Sequence, residues 1–167
     1  IDRKKYPPLH LPAYNAKVRS IDEQIQIFDA FRKKYLVLTP EEWVRQHFAH
    51  YMVNALGYPA SRLQLEFQIK YNGKVKRPDI AVLSDRGDCE IIVECKAPEI
   101  VLNEDVFLQV STYYSVLRPR FVVMTNGLQH VVAAIQRNVP KFVYIENLLR
   151  IDEQVRLKCN WNQALIK

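Results

Sequence analysis

Two apolar segments, residues 78–83 and 89–95, stand on either side of a short polar loop and constrain the fold more than any other feature of the sequence. Apolar runs of this length, bounded by turn residues, are typical of buried strands. The loop at residues 84–88 contains Gly87, which tolerates the positive φ that a tight turn needs. The sequence therefore predicts an antiparallel β-hairpin within an otherwise apolar sheet.

The register of this hairpin predicts where its charged residues lie. A symmetric loop pairs Asp85 with Asp88, and continuing the pairing outward sets Asp79 opposite Glu94. Lys96 lies two positions beyond Glu94 and so shares its face. A slip of one residue would send Asp79 to the opposite face, so a bulge near the loop would undermine this prediction.

Two carboxylates held this close repel each other, and either a shared proton or a hard divalent cation relieves the repulsion. Mg²⁺ takes few protein carboxylates, so Asp79 and Glu94 would leave room for a phosphate and a water molecule. Lys96 would then orient or deprotonate the water, or stabilise charge on the phosphoryl oxygens. The alternative is a salt-bridged strand end without catalytic chemistry.

Helix signals flank the hairpin in the sequence. Thr39 is a candidate N-cap, Pro40 suits the first helical position and Glu42 can close a capping box, which predicts a helix to about residue 56. Asn103 caps a second predicted helix, with an apolar face formed by Val106, Val110, Tyr113 and Leu117. Period-two patterns predict further strands at residues 24–28, 35–38, 65–69, 121–124, 131–135 and 142–145.

The length of 167 residues, with 49% hydrophobic residues, predicts one domain. We expect an N-terminal arm and small β extension at residues 1–37, a core at 38–147 and a tail at 148–167 that is helical in part. No apolar run approaches the roughly 20 residues of a bilayer span, so we expect a soluble, untargeted cytoplasmic protein without a membrane partner. The three cysteines form no C-x-x-C pair and are expected to be reduced.

The net charge of +6 favours an anionic partner such as nucleic acid. Lys74, Lys76 and Arg77 lie closest in sequence to the predicted carboxylate pair and are the candidate nucleic-acid-binding residues. The basic groups at residues 32–34 and at Arg118 and Arg120 would extend a phosphate track. Each group taken alone is more typical of a solvated surface.

Arg77-Pro78-Asp79-Ile80, followed by Val93-Glu94-Cys95-Lys96, resembles the signature of the PD-(D/E)XK nuclease superfamily. Residues 38–46, 56–59 and 124–127 are similar to the N-terminal nuclease domain of type I restriction enzyme R subunits. The resemblance implies a restriction-endonuclease-like α/β (α+β) fold, a mixed β-sheet flanked by helices. It also implies hydrolysis of DNA phosphodiester bonds dependent on Mg²⁺, or on Mn²⁺ in its place, with Asp79, Glu94 and Lys96 as catalytic residues.

The same resemblance suggests accessory positions. An acidic residue of the first helix is expected near the metal, and Glu41 is preferred because the capping box already explains Glu42. Gln109 and Tyr113 resemble a Q-x-x-x-Y motif and share one face of the second helix. Alternatively, Glu41 only complements the helix dipole and Tyr113 is a core residue.

The sequence departs from complete R subunits because it contains no G-x-x-x-x-G-K stretch, so we expect no ATP site in this chain. We favour a standalone small nuclease that acts on DNA. A homodimer with paired sites is compatible with this interpretation, as are subunits of a restriction or repair complex. The alternative is a catalytically silent nuclease-fold module that binds nucleic acid or protein.

Overall fold

The computed structural model describes residues 1–135 and 142–145, so the predicted tail at 148–167 and Cys159 lie outside the described residues. Cys89 and Cys95 are free and buried. The strands and helices are β1 (Val18–Ile21), β2 (Gln24–Asp29), β3 (Lys34–Val37), α1 (Pro40–Asn54), β4 (Leu63–Leu65), β5 (Ile69–Tyr71), β6 (Lys74–Lys76), β7 (Ile80–Leu83), β8 (Cys89–Cys95), α2 (Glu104–Tyr114), β9 (Phe121–Thr125), β10 (His130–Ile135) and β11 (Phe142–Ile145).

The central sheet has the strand order β11-β10-β9-β8-β7-β4 and is mixed, because β8 and β9 run parallel while the other neighbours are antiparallel. Parallel neighbours need a crossover, which α2 supplies. The sheet is packed on both faces. One face packs on α1 through Val44, Phe48 and Met52, and the other packs on α2 through Phe107 and Tyr114. The predicted α/β class, a mixed sheet with a helix on each side, is confirmed.

The β7–β8 hairpin forms as predicted, but the residues beside its loop pair differently. Leu83 pairs with Cys89, one residue away from the partner that a symmetric loop would assign. A bulge between Val82 and Leu83 then restores the predicted register, so that Ile80 pairs with Val93. The loop pairing was wrong and the register beside the charged residues was right.

The N-terminal residues form a second, three-stranded sheet in the order β1-β2-β3, of which β1 was not predicted. Ile27 of this sheet is fully buried and belongs to one hydrophobic cluster with Tyr6, Leu38 and Trp43. The proline-rich arm before it runs across the molecule. Its Pro7 carbonyl accepts a hydrogen bond from the Trp43 indole (2.9 Å), and His10 donates its backbone N–H to Gly127 (2.8 Å).

Two local predictions were wrong. Residues 65–69 do not form one strand, because Glu66 adopts a φ of +50° between β4 and β5 and Phe67 is exposed. The fully inward residues of α2 are Phe107, Ser111 and Tyr114. Of the predicted stripe, Val106, Val110 and Leu117 are half-buried against the core, whereas Tyr113 is 47% exposed. Of the helices described, none combines the length and apolar character needed to cross a membrane.

Candidate active site

Asp79, Glu94 and Lys96 meet at one end of the central sheet. Asp79 immediately precedes β7, Glu94 is the penultimate residue of β8, and Lys96 follows that strand. Because β7 and β8 are antiparallel, the start of one lies beside the end of the other. The parallel strand β9 ends there as well, and its Thr125 carbonyl accepts a hydrogen bond from the Lys96 backbone N–H (2.8 Å).

The Asp79 carboxylate is buried and fully engaged by the protein. Its Oδ2 accepts a hydrogen bond from the Cys95 backbone N–H (2.7 Å), which ties Asp79 to the strand that carries Glu94. Its Oδ1 accepts from Nε of Arg45 (3.1 Å), and Nη2 of the same guanidinium also donates to it. Arg45 lies on α1, so this contact joins the helix to the sheet. No local sequence pattern marks Arg45, because its partner Asp79 is remote in the chain.

Glu94 lies in an environment that disfavours its charge. Burial and the nearby charge of Asp79 raise its pKa to about 7, while Lys96 and the Tyr114 hydroxyl act in the opposite direction. The Tyr114 hydroxyl donates to Glu94 Oε2 (3.1 Å), and the Lys96 ammonium lies 3.6 Å from Oε1. The Lys96 side chain is 30% exposed, so its ammonium is accessible to a ligand.

Glu41 also belongs to this cluster. It lies in the first turn of α1, and burial together with the charge of Asp79 raises its pKa, while Arg45 and Lys96 lower it. Its Oε1 accepts a hydrogen bond from Arg45 Nη2 (3.2 Å). The fold thus brings the predicted metal-binding set, Asp79, Glu94 and Glu41, into mutual electrostatic contact.

Glu42 has a different structural role from the predicted one. Thr39 does cap α1, since its hydroxyl accepts from the Glu42 backbone N–H (3.0 Å). The Glu42 carboxylate, however, accepts from Arg32 (2.7 Å), from Gln46 (2.8 Å) and from Arg45, instead of closing the capping box. Hydrogen bonds from the charged guanidinium groups of buried Arg45 and half-buried Arg32 are stronger than one from a neutral backbone N–H.

The second helix places Tyr114 beside Glu94, whereas the predicted accessory residues Gln109 and Tyr113 do not contact the carboxylates in the described structure. Gln109 and Tyr113 are both exposed. The Tyr113 ring lies beneath the ammonium of Lys76, 3.4 Å from its centroid, and 4.7 Å from the Tyr114 ring. Tyr114 follows Tyr113 directly, so the sequence alone could have found it only with the correct helix rotation.

The candidate nucleic-acid-binding residues differ in accessibility. Lys74 and Arg77 are exposed, whereas Lys76 is only 8% exposed because it packs on Tyr113. Two other cations of the predicted phosphate track are engaged internally. Arg32 pairs with Asp29, Glu42 and Glu66, and Arg120 is buried with Glu90 at 3.6 Å. Lys74 and Arg77 are therefore accessible to a phosphate, as are the exposed Lys33, Lys34 and Arg118 of the predicted track.

The residue types of the cluster suit a hard divalent cation, but their arrangement in the structure does not form a metal site. Glu41, Asp79 and Glu94 offer carboxylate oxygens, the ligands that Mg²⁺ prefers, and Asp79 raises the pKa of both glutamates, which is the repulsion a cation would relieve. Over residues 1–135 and 142–145, no group of three or more His, Cys, Asp or Glu side chains has an arrangement that could hold a metal ion. Instead, the Arg45 guanidinium lies between Asp79 and Glu41 and provides positive charge there.

A mixed sheet between two helices, with two carboxylates and a lysine at the ends of adjacent strands, defines a relative of the PD-(D/E)XK nucleases. The profile of the family described as type I restriction enzyme R protein N terminus (HSDR_N) matches residues 40–148, and the chain belongs to this family. This membership supports a nuclease-related function.

Comparisons with individual proteins add little to the family match. One solved structure, a fragment of a protein described as an HsdR subunit of a type I restriction enzyme from Vibrio vulnificus YJ016, shares 16% identity with a TM-score of 0.46. The match covers 65% of this chain and 23% of the other. A similarity at this level does not support an inference about function. No curated protein matches the chain.

Proposed function

We propose that this protein hydrolyses DNA phosphodiester bonds with Mg²⁺, or Mn²⁺ in its place, at the cluster of Asp79, Glu94 and Lys96. The observation that carries the proposal is the meeting of these three side chains with Glu41 at one end of the sheet, where charge is otherwise costly. The family of the chain supports DNA as the proposed substrate and subunits of a restriction complex as proposed partners. The paired sites of a homodimer would allow cutting of both strands.

The residues of the cluster have distinct roles in this proposal. Asp79 and Glu94 would supply oxygen ligands and Glu41 would add a third carboxylate from α1, which requires these side chains to move from the arrangement in the structure. The Cys95 N–H and Arg45 hold Asp79, while Tyr114 orients Glu94. Lys96 is exposed enough to contact the scissile phosphate or a water molecule beside it. A bound Mg²⁺ would supply a polarised phosphate and a more acidic water.

The first experiment measures cleavage of supercoiled plasmid and single-stranded DNA by wild type and Lys96→Ala, with Mg²⁺, Mn²⁺ or a chelator. We expect metal-dependent cleavage that falls by at least about 100-fold in Lys96→Ala, because a positioned proton donor or cation contributes this much. Lys4→Ala is the matched control, since it removes the same charge from the exposed arm. Equal cleavage by wild type and Lys96→Ala would refute the proposed site.

Asp79→Asn and Glu94→Gln separate catalysis from DNA binding. Both variants keep the shape of the side chain and remove its charge, so we expect them to bind DNA without cutting it. Absence of cleavage in the wild type with every metal, together with DNA binding unaffected by these two changes, would favour the silent binding module.

A further inference from the structure

The small N-terminal sheet has an outward face that differs in composition from the inward face. Opposed residues of antiparallel strands share a face, and the pairing of β1, β2 and β3 assigns eight side chains to three outward rows. The rows are Lys17–Phe28–Tyr35, Arg19–Gln26–Val37 and Ile21–Gln24. The inward face carries Val18, Ile27 and Leu36 and packs on the core.

Two aromatic rings and two cations form a layered surface on the outward face. The Phe28 and Tyr35 rings lie 5.2 Å apart. The Arg19 guanidinium stacks over Tyr35 at 3.7 Å, and the Lys17 ammonium lies 5.7 Å from the Phe28 centroid. Arg19 also donates from Nε to the Gln26 amide oxygen (2.9 Å), which fixes the plane of the guanidinium. In the described part of the chain, neither ring belongs to a hydrophobic cluster.

The charge of this face suits an anionic partner. None of its eight residues is acidic, and Lys17 and Arg19 give it a charge of +2. The acidic residues of the same sheet lie elsewhere: Asp22 and Glu23 form the turn at the far end of β1 and β2, and Asp29 is buried with Arg32. Val37 (48% exposed) and Ile21 (42% exposed) add apolar surface beside the rings.

Single-stranded nucleic acid combines the two features that match this surface. Its bases have faces that stack on aromatic rings and guanidinium planes, and its phosphates pair with Lys and Arg. Duplex DNA offers the phosphates but keeps its bases stacked inside the helix, so the bases cannot stack on the rings of this surface. A protein partner that only covered apolar surface would gain little from two cations over two rings.

We propose that the outward face of the β1–β3 sheet binds a short segment of single-stranded DNA, with bases stacked on Phe28, Tyr35 and Arg19 and a phosphate at Lys17. The choice of DNA over RNA rests on the proposed function. The inference that this surface binds a nucleic acid does not rest on the proposed function, because residues 17–37 precede the family match at 40–148. It is a second DNA-binding site on a sheet separate from the one that carries the catalytic cluster.

The test measures binding of a labelled oligodeoxyuridine of about 12 nucleotides to the full chain by fluorescence anisotropy, with a chelator present so that no DNA is cut. We expect Phe28→Leu and Tyr35→Leu each to weaken binding by about tenfold, because each removes one stacking platform. Arg19→Gln is expected to weaken binding similarly and to reduce its salt dependence.

Two matched controls accompany these variants. Tyr35→Phe keeps the ring and should bind within about twofold of wild type, and Arg3→Gln removes one exposed positive charge from the arm and should have a small effect. Thermal unfolding reports whether each variant is folded. If a ring variant unfolds, Arg19→Gln is used in its place, because it leaves both rings unchanged.

Three results would overturn the proposal: no binding by wild type, binding by Phe28→Leu and Tyr35→Leu equal to wild type, or tighter binding of the matching oligouridine or of duplex DNA. Cleavage with Mg²⁺ is measured separately. If the protein does not cleave DNA but binds the oligonucleotide through the two rings, the nuclease proposal fails and the binding surface is supported. If it cleaves DNA and the ring variants bind as tightly as wild type, the nuclease proposal is supported and the binding surface is refuted.

Discussion

Arg45 lies among four carboxylates, those of Glu41, Glu42, Glu66 and Asp79. Burial opposes the charge of its guanidinium, but the charges of Asp79 and Glu42 raise its pKa, so it stays protonated. Glu66 reaches Arg45 at 3.3 Å from a left-handed backbone position, and its own N–H donates to the Asp79 carbonyl. The surrounding structure therefore maintains a locally strained residue beside the cluster.

Arg45→Met is expected to lower the free energy of unfolding by about 3 to 5 kcal/mol, because it leaves buried carboxylates without their cation. The measurement is urea unfolding at neutral pH. Arg62→Met is the matched control, since Arg62 pairs with Asp85 on the surface, where the Asp85 side chain is 82% exposed, and its loss should cost less than about 1 kcal/mol. Similar losses in both variants would show that Arg45 does not organise the cluster.

Glu94 makes stability depend on pH in a defined direction. The folded protein holds the Glu94 proton to about pH 7, whereas the unfolded chain loses it near the ordinary value of 4.5. Folding therefore takes up a proton between these values, and the contribution of Glu94 to stability is lost as pH rises through that window. We expect wild type without metal to lose more stability from about pH 5 to about pH 8 than Glu94→Gln, whose amide has no proton to lose. Parallel pH profiles for the two proteins in urea unfolding would contradict the raised pKa.

At the scale of secondary-structure elements, the rotation of α2 decides which tyrosine reaches the site. Phe107, Ser111 and Tyr114 are buried and follow helical spacing, so Tyr114 points towards Glu94 while Tyr113 points outward. The apolar pattern at positions 106, 110, 113 and 117 is nearly as regular. Phe107 packs against β9 and β10 residues together with Val106 and Val110 of the predicted stripe, so the buried face lies between the two stripes and leaves Tyr113 outside.

Tyr114→Phe should reduce metal affinity or cleavage by about 10-fold or more, because groups that orient metal ligands typically contribute this much. Tyr113→Phe should change either quantity by less than about twofold, since the Tyr113 ring and its contact with Lys76 are kept. Metal titration by calorimetry and plasmid cleavage measure the two effects. A larger effect of Tyr113→Phe would restore the predicted Q-x-x-x-Y role.

At the scale of the whole molecule, the N-terminal arm holds the core at two distant points. Its Tyr6 hydroxyl donates to the Leu38 carbonyl before α1, and its Leu9 side chain covers the turn between β9 and β10. A Cβ on Gly127 in that turn would lie 2.7 Å from Leu9 Cδ2. The arm thus depends on a glycine more than 100 positions away in the sequence.

Gly127→Ala tests this contact. Gly87 has the same φ of +83° but has no atom within 4 Å of its added Cβ, so Gly87→Ala measures the backbone strain alone, about 1 kcal/mol. Gly127→Ala should cost up to about 1 kcal/mol more, because the end of the half-buried Leu9 side chain must shift to admit the Cβ. Adding Leu9→Ala to Gly127→Ala should recover part of the extra loss in thermal unfolding. Equal losses in the two glycine variants would mean that the arm does not press on this turn.

The sequence alone determined the features that depend on neighbours in the chain. The β7–β8 hairpin and the Thr39 cap of α1 follow from local periodicity, turn residues and capping chemistry. The register of Ile80 with Val93, which groups Asp79, Glu94 and Lys96, agrees with the prediction only because the bulge between Val82 and Leu83 offsets the different pairing at the loop. Local patterns are sufficient there because each contact spans few residues or one tight turn.

Tertiary structure decided the contacts between residues that are far apart in the sequence. Arg45 contacts Asp79 across 34 residues, and Tyr114 contacts Glu94 across 20. Glu66 interrupts the predicted strand and pairs with Arg32 and Arg45. These contacts depend on how α1 and α2 pack on the sheet, and burial of their apolar faces sets their orientation. Several side chains on each helix satisfy the same local pattern, so only packing against the sheet selects the one that reaches the site.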